Sequence, residues 1–386
     1  MESFVKLTDV CDFQGGTQPP KSLWKKDLED GYIRMLQIRD FTQRGKDNVE
    51  YIPYKKTLKT CEEHDILIGR YGASVGKICT GLSGAYNVAL VKTKPNLDKI
   101  RRDFLLHLLR GTIFQNFILN VGDRAAQAGF NKGDLEGFEF SLPPLDQQKK
   151  IAAILDAADA YRQKTKALIE KYDELTQSLF LDMFGDPMRN PKEWMEKSLG
   201  ESVEIITYGL TVRPAYKKEG FPVISAKEIK SGEVNFNDAK LIAKDDFDKV
   251  ANKGKPEINE VLFTKTGAGI GQCAVIKVSE NFAITQNIAR IKFKKSIDVT
   301  YILFYLRTPY IQRLSHRESK GNAIKDLQLG DMKKFKILLP PIELQNQFSE
   351  RVQVIESQKK QAQASLAQAE DLFNSLLQRA FKGELS

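Results

Sequence analysis

Residues 142–187 read LPPLDQQKKIAAILDAADAYRQKTKALIEKYDELTQSLFLDMFGDP, and this stretch decides the fold. Between Pro144 and Gly185 it contains neither proline nor glycine. Proline suits the first helical turn, where its missing N–H is not needed. Gly185-Asp186-Pro187 is a stop signal. The spacing predicts one helix from about Asp146 to Phe184. Its apolar or neutral positions fall at Ile154, Ala158, Tyr161, Thr165, Leu168, Tyr172, Leu175 and Leu179, in alternating steps of four and three. That is heptad spacing, the mark of a helix that buries a narrow seam against another helix.

The second helix is in the same chain. Leu142-Pro143-Pro144-Leu145-Asp146 returns as Leu339-Pro340-Pro341-Ile342-Glu343. The following stretch places Phe348, Val352, Ile355, Lys359, Ala362, Leu366, Ala369, Phe373, Leu376 and Ala380 at the same alternating steps, with Lys359 the one misfit. Gly383 ends it. At 1.5 Å per residue each helix is about 55 Å long. An antiparallel pair is expected, because a domain-sized segment separates the two; the competing accounts are that each seam packs onto its own domain or dimerises with another chain. The seam of the pair is assigned to Ile154, Tyr161, Leu168, Leu175 and Leu179 against Val352, Ile355, Leu366, Phe373 and Leu376.

The segments before the two helices also repeat. Asp65-Ile66-Leu67-Ile68-Gly69-Arg70-Tyr71-Gly72-Ala73-Ser74-Val75-Gly76-Lys77 aligns with Glu260-Val261-Leu262-Phe263-Thr264-Lys265-Thr266-Gly267-Ala268-Gly269-Ile270-Gly271-Gln272. Each reads as an apolar strand, a basic residue and a glycine turn. Asn87-Val88-Ala89 matches Asn287-Ile288-Ala289, and Met35–Asp40 parallels Val223–Glu228. Helical stretches are expected near Asp103–Asn120 and Thr300–Leu314. The order is domain, helix, domain, helix, in a mixed α+β chain.

Composition narrows the function. The 386 residues suit two or three domains, and 41% hydrophobic content supports a sizeable core. Lys and Arg number 59 against 50 Asp and Glu, a net +9 that weakly favours an anionic partner. Cys11, Cys61, Cys79 and Cys273 lack two-residue spacing, and His64, His107 and His316 are scattered, so no metal site is expected. Met1-Glu2-Ser3-Phe4-Val5-Lys6 is not the start of a signal peptide, and no apolar run reaches the ~18 residues a membrane span needs. A cytoplasmic location with reduced thiols is the expectation.

Catalytic motifs fail one by one. Gly72 to Gly76-Lys77 is one residue short of a Walker A loop, and Ile78 stands where that loop has its hydroxyl. Gly267-Ala268-Gly269-Ile270-Gly271 resembles a loop that holds S-adenosylmethionine, but its repeat copy keeps only the outer glycines. No Asn/Asp-Pro-Pro-aromatic motif is present to hold a target amino group. Glu228-Ile229-Lys230 is a fragment of a nuclease pattern, without the preceding Pro-Asp. The glycines are better read as turns that let backbone N–H groups approach a phosphate. Arg70, Lys77 and Lys265 would add charge beside Gly72, Gly76, Gly267 and Gly271. Asn87, Gln286 and Asn287 carry amides that suit adenine edges. Arg124, Gln127, Lys227, Arg317, Lys320 and Asn322 lie in polar stretches where base readers would sit. For each of these residues a solvated surface, or an amide capping its own turn, is the competing account.

At this point the chain resembles the specificity subunits of type I restriction–modification systems, over essentially its whole length. The resemblance rests on Leu142–Asp156, on Met183-Phe184-Gly185-Asp186-Pro187, on the terminal Ala380-Phe381-Lys382-Gly383-Glu384-Leu385, and on the Gly-Ala-Ser-Val-Gly-Lys loop with its second copy. The second Pro-Pro copy departs slightly, because Leu344 precedes Gln345 and Gln347. The resemblance implies a first target-recognition domain over 1–143, a central conserved helix over 144–186, a second target-recognition domain over 187–340 and a C-terminal conserved helix over 341–386. Both domains would be α/β, and the helices would form an antiparallel coiled coil. The domains would each read part of a split DNA site, and the helices would set the gap and dock two methyltransferase subunits. Restriction (translocase) subunits would join the full complex. S-adenosylmethionine, ATP and Mg would be bound by those partners and none by this chain, which would not itself be an enzyme. The competing classes are a coiled-coil adaptor that touches no nucleic acid and a stand-alone DNA methyltransferase.

Overall fold

The computed structural model describes residues 3–43, 49–122, 129–230, 232–321, 324–382 and 384–385. The chain divides into two compact units, residues 1–167 with 363–386, and residues 168–362. The two long helices run Leu145–Phe184 and Ile342–Phe381, forty residues each. Each helix begins in one unit and ends in the other.

The first unit opens with strand Ser3–Lys6 pairing antiparallel with Glu139–Leu142, the strand that leads into the central helix. An antiparallel sheet then orders Cys11–Gly15, Leu90–Pro95, Leu67–Gly69 and Ile78–Cys79. A second sheet orders Tyr51–Pro53, Tyr32–Leu36, Gly84–Tyr86 and Thr60–Cys61, with Met35 and Ala85 in parallel register. The second unit repeats the plan. Met195–Ser198 pairs with Lys336–Leu339. One sheet orders Val203–Tyr208, Ile288–Phe293, Val261–Thr264 and Cys273–Val275. The other orders Tyr216–Lys217, Lys240–Ile242, Phe221–Ile224 and Ala283–Ile284, with Val223 parallel to Ala283. The inner strands match and the edges do not. The first unit adds Thr60–Cys61 beside Gly84–Tyr86, whereas the second adds Tyr216–Lys217 beside Lys240–Ile242.

Neighbouring strands in the two units are clasped by the same kind of ion pair. Lys92 Nζ lies 2.9 Å from Asp65 Oδ2. At the matching place Arg290 meets Glu260 through two bonds of 2.6 and 2.8 Å, with Glu260 1% exposed. The expected helical stretches are each split in two, as Arg102–Arg110 with Thr112–Gly122 and as Val299–Leu306 with Pro309–Glu318. All four cysteines are free and buried, and burial pushes the Cys11 and Cys273 thiols up to about 12.

Within each unit the long helices run antiparallel. In the first, Leu155 shares a core with Phe373, Leu377 and Phe381, and Lys166 meets Glu370 at 2.9 Å. In the second, Phe180, Met183 and Phe184 pack with Phe348 and Val352. There Lys359, the misfit of the heptad, reaches Asp173 at 2.5 Å. Aromatic rings seat the helix ends on the modules. Phe104 lies 5.2 Å from Phe381, and Tyr301 lies 4.7 Å from Phe184.

On the C-terminal helix the assigned positions are covered: Val352 and Phe373 are buried and Ile355, Leu366 and Leu376 half-buried. On the central helix the assigned seam must be corrected. Ile154, Tyr161, Leu168 and Leu175 are 44%, 55%, 43% and 50% exposed. Of the five assigned positions only Leu179 packs against a core. The face turned to the partner lies one residue further on, at Leu155, Arg162, Ile169 and Thr176. One residue rotates a helix surface by about 100°, so an error of one exchanges inside for outside. The larger apolar residues misled because the covered positions accept polar ones. Arg162 stacks over Phe373 at 4.4 Å and pairs with Asp159 at 2.5 Å. Thr165 and Thr176 donate their hydroxyls to the carbonyls of Tyr161 and Tyr172, at 2.9 Å each.

The corrected seam has a direct test. Leu155→Ala, at a fully buried site, is expected to destabilise the first unit by about 2–5 kcal/mol. Ile154→Ala should cost about 1 kcal/mol or less in the isolated chain. Urea unfolding of both variants checks this, and equal losses would restore the original seam.

Candidate nucleic-acid interface

The glycine turns are built alike. Gly69 N–H donates to the Lys77 carbonyl at 2.8 Å, and Gly76 N–H to that of Gly69 at 3.0 Å. In the second unit Thr264 and Gly271 make the matching pair, at 2.7 and 3.0 Å. Gly76 and Gly271 have φ of +77° and +94°, a region closed to most side chains. Both are buried. A Cβ on Gly76 would lie 2.7 Å from the Ile118 side chain, and one on Gly271 would lie 2.2 Å from Gln312 Oε1. The reason is a clamp that sequence reading missed. Gln115 donates to the carbonyls of Gly76 and Leu109 at 2.9 and 2.7 Å. Gln312 does the same to Gly271 and Leu306 at 2.9 and 2.8 Å. The signal was available, since Phe114-Gln115 and Ile311-Gln312 recur at matching places.

Gly76 and Gly271 therefore serve packing, which corrects the expectation that they approach a phosphate. Gly72 remains open, exposed at φ +56° with nothing near its Cα face. Gly267 is half-buried, and its N–H already donates to the Lys325 carbonyl at 2.9 Å.

The cations differ in freedom. Lys77 is exposed and makes no ion pair with the described residues. Arg70 is held back, donating from Nε to the Phe130 carbonyl at 2.8 Å. Lys265 is 11% exposed and bound to Asp326 at 2.6 Å. Burial raises the Asp326 pKa, but hydrogen bonds from Lys265 and Thr266 outweigh this and leave it below the ordinary value. Lys265 is thus first a clasp between its turn and the chain near Asp326. Lys320, 75% exposed, reaches Asp331 at 3.2 Å. Arg317 is 73% exposed and meets Glu318 at 2.9 Å. Arg124, Gln127 and Asn322 lie outside the described residues.

The amides divide between the units. Asn87 Oδ1 accepts from Ala89 N–H at 3.2 Å and so caps its own turn. Its match to Asn287 is a two-residue slip. Arg70 N–H donates to the Ala89 carbonyl at 2.9 Å, and Lys265 N–H donates to that of Asn287 at 2.9 Å, so Ala89 is the counterpart of Asn287. A slip of two keeps every side chain on its own sheet face, and the apolar pattern cannot detect it. Gln286 is exposed and Asn287 half-buried. With Lys227 they line one cleft of about 610 Å³ in the second unit, which also receives Arg213, Lys230 and Lys240.

The turn behind Lys227 is fixed by Glu228, which accepts from Ser225 N–H at 2.8 Å and Ser225 Oγ at 2.6 Å. This employs the carboxylate of the suspected nuclease fragment as a cap. The first unit builds the same turn from Gln37 and Asp40, at 2.7 Å. There Arg39 occupies the place of Lys227 and is bound to Glu50, which also holds Lys21 at 2.7 Å. Gly16 and Gly209 mark the mouths of these regions, and a Cβ on either would fall 2.1 or 1.9 Å from a carbonyl oxygen. Their signal was Gly16-Thr17-Gln18-Pro19-Pro20 beside Gly209-Leu210-Thr211-Val212-Arg213-Pro214, two turns at equivalent strand ends. Among the described residues no group of three or more His, Cys, Asp and Glu is placed to hold a metal ion, and no helix is long and apolar enough to cross a membrane.

The fold defines a class: a duplicated α/β scaffold carried on two long helices, with the cleft and glycine turns at the ends of its strands. The model of the type I restriction modification DNA specificity domain matches residues 2–172 and again residues 191–368, and the chain belongs to that family. It is 27% identical over 420 residues to the specificity subunit of the type I restriction enzyme EcoBI of Escherichia coli, covering 100% of this chain and 85% of the relative. It is 24% identical over 310 residues to the EcoKI specificity subunit of Escherichia coli strain K12, covering 73% and 65%. A chain from a structure on complex assembly and conformational transition of the type I R-M system matches with TM-score 0.63 at 18% identity, covering 99% of this chain and 98% of that one. The S subunit from M. genitalium matches with TM-score 0.58 at 15% identity, covering 98% and 96%. At those identities the structural likeness establishes the fold.

The clasp on the second glycine turn is pH-sensitive. A depressed carboxylate stabilises the fold above its unfolded pKa, about 3.9, and that contribution is lost as pH falls through the lower folded value. An NMR titration of the Asp326 carboxyl is expected to show a midpoint below that value, moving up in Lys265→Met. A midpoint indifferent to Lys265 would remove the clasp.

Proposed function

We propose that this chain is the sequence-reading, complex-assembling subunit of a type I restriction–modification system and carries no catalytic site of its own. The observation that carries this reading is the cleft of the second unit, where the Gln286 and Asn287 amides sit beside Lys227, Arg213, Lys230 and Lys240. Amides suit bidentate bonds to adenine edges, and the surrounding cations suit the phosphates on either side. In the first unit the exposed Lys77 and open Gly72 of the glycine turn offer phosphate contacts, with Arg70 behind them. Arg124, Gln127 and Asn322 stay as candidate base readers. Each unit then reads part of a split site, and the helices joining them set the gap. Linkage makes the second contact effectively intramolecular, so two modest affinities combine.

The exposed residues Ile154, Tyr161, Leu168 and Leu175 support the assembling role. Ile154 and Tyr161 in the first unit, and Leu168 and Leu175 in the second, are each spaced by seven. An apolar stripe of that period, left open in the lone chain, suits helices of two methyltransferase subunits. Those partners would bind S-adenosylmethionine, and restriction subunits would add ATP and Mg chemistry. DNA and these chains would meet in the cytoplasm.

The test is methylation of a random DNA library with the cognate methyltransferase subunit present. A split, adenine-containing motif of fixed gap is expected. Gln286→Ala with Asn287→Ala should relax one half of the motif, at about 1–3 kcal/mol per base pair. Lys77→Glu should weaken binding to all sequences and flatten its salt dependence. A complex that assembles but selects no sequence would leave an adaptor, and labelled S-adenosylmethionine held by the isolated chain would point to a stand-alone methyltransferase.

A further inference from the structure

Another groove of the second unit shares no lining residue with the cleft assigned to DNA. Its volume is about 970 Å³. One wall is the C-terminal helix, through Ile342, Asn346, Ser349, Gln353, Glu356 and Lys360. These recur at steps of three and four, so they form a single stripe about 27 Å long at 1.5 Å per residue. The opposite wall is the start of the helix Val299–Leu306 and the end of the strand Ile288–Phe293. The floor is apolar, with Val275, Ile297, Leu303 and Val352 between 4% and 7% exposed.

The rim is cationic. Lys277, Lys294, Lys295 and Lys360 are exposed, and none makes an ion pair with the described residues. Arg307 adds a guanidinium stacked on Phe304 at 5.4 Å. Two of the four acids that line the groove have partners. Glu260 is tied to Arg290, and Asp298 accepts from Tyr301 N–H at 2.8 Å and from Ser349 Oγ at 2.5 Å. Only the Glu260 charge is paired with a cation, so Glu233, Asp298 and Glu356 stand against five cations.

We propose that this groove seats an acidic amphipathic helix of a partner protein. A long, narrow trough with an apolar floor and a charged rim suits a helix laid along it, apolar face down. The apolar floor offers nothing to phosphates, which separates the groove from a nucleic-acid surface. The repeat sharpens the assignment. The first unit has a groove of about 600 Å³ at the matching place, lined by His64, Arg101, Asp103 and Leu106 among others. Asn96 holds the position of Lys294 there, since Asn96 N–H donates to Val10 and Lys294 N–H to Ser202 at equivalent strand ends. Leu97, 55% exposed, follows it. The first groove carries Arg102 and an Arg101 paired to Asp103, while the exposed lysines at Lys294 and Lys295 belong to the second unit alone, so the acidic helix docks on that half of a duplicated chain. The proposal rests on the assembling role for the partner's identity, while the groove's chemistry stands without it.

The probe is a labelled 21-residue amphipathic helix with a leucine stripe and a glutamate face, tested on the full chain by fluorescence anisotropy. A scramble of equal composition is the control. The probe is expected to bind, and the scramble to bind at least about tenfold more weakly. Lys294→Glu with Lys295→Glu should weaken the probe roughly tenfold or more, the scale of opposed charge pairs, and leave duplex-DNA binding within about twofold. Ser357→Trp, on the other wall, should block the groove without touching a charge, and it decides the matter if the double variant melts early. No binding of the probe, equal binding of the scramble, or a parallel loss of DNA affinity would each overturn the proposal. Failure of the DNA-reading role would appear separately, as wild-type chain that binds the probe but not duplex DNA.

Discussion

A buried amide in the first turn of each long helix joins the modules to the helices. Gln148, 0% exposed, donates to the carbonyls of Lys99 and Pro143 at 2.9 and 2.8 Å and accepts from Arg101 N–H at 2.7 Å. Gln345, 1% exposed, donates to Pro340 at 2.7 Å and accepts from Asp298 N–H at 2.9 Å. Each side chain thus fastens the start of a module helix to the start of a long helix. An unsatisfied buried amide costs about 1–3 kcal/mol, so neither end can move independently. The strand entering each long helix and the aromatic rings along it inherit their positions from this joint. It also explains why the second Pro-Pro copy tolerates Leu344. Only the later glutamine is used, and Gln345 keeps its place.

Much of the scaffold was legible because it depends on coarse signals. Proline pairs, the absence of helix breakers over forty residues and Gly185 were enough to bound the central helix. The inner strands could be aligned because they are short apolar runs ending in turns. Three features escaped, each for a physical reason. The phase of the central seam was lost because Arg162 and Thr176 occupy covered positions while Ile154 and Leu168 face outward. The counterpart of Asn287 was misplaced by two because a β-strand has a period of two. The edge strands differ between the units, since an edge has one neighbour and fewer constraints on its sequence.

The glycine turns show why a motif needs its surroundings. Glycine permits both a close ligand and a close protein neighbour, and the sequence does not say which one is present. Gly76 and Gly271 answer to Gln115 and Gln312, residues some forty positions further on. Gly72 has no such neighbour. The cations divide on the same principle. Lys265 aligns with Arg70 as a free basic residue would, yet Asp326 holds it. The cleft residues of the second unit were legible only as members of polar stretches. Exposed side chains carry no periodicity, and only the fold brings Lys227 beside Gln286 and Asn287.

Side chains that differ at matching backbone positions give such a duplicated scaffold two surfaces from one plan. The backbone bonds place Val88 where the second unit has Gln286, Ala89 where it has Asn287, and Arg39 where it has Lys227. Charge is handled differently as well. In the first unit Lys21 and Arg39 are bound by Glu50, and Arg34 by Asp40 at 2.9 Å. In the second, Arg213, Lys227 and Lys230 make no ion pair with the described residues. None of these exchanges disturbs the turn beneath them, because Asp40 and Glu228 cap it from the same place. Side chains at the ends of strands can therefore change without cost to the core. A chain with this arrangement can alter what each half contacts while the joints at Gln148 and Gln345 hold its halves to the same helices.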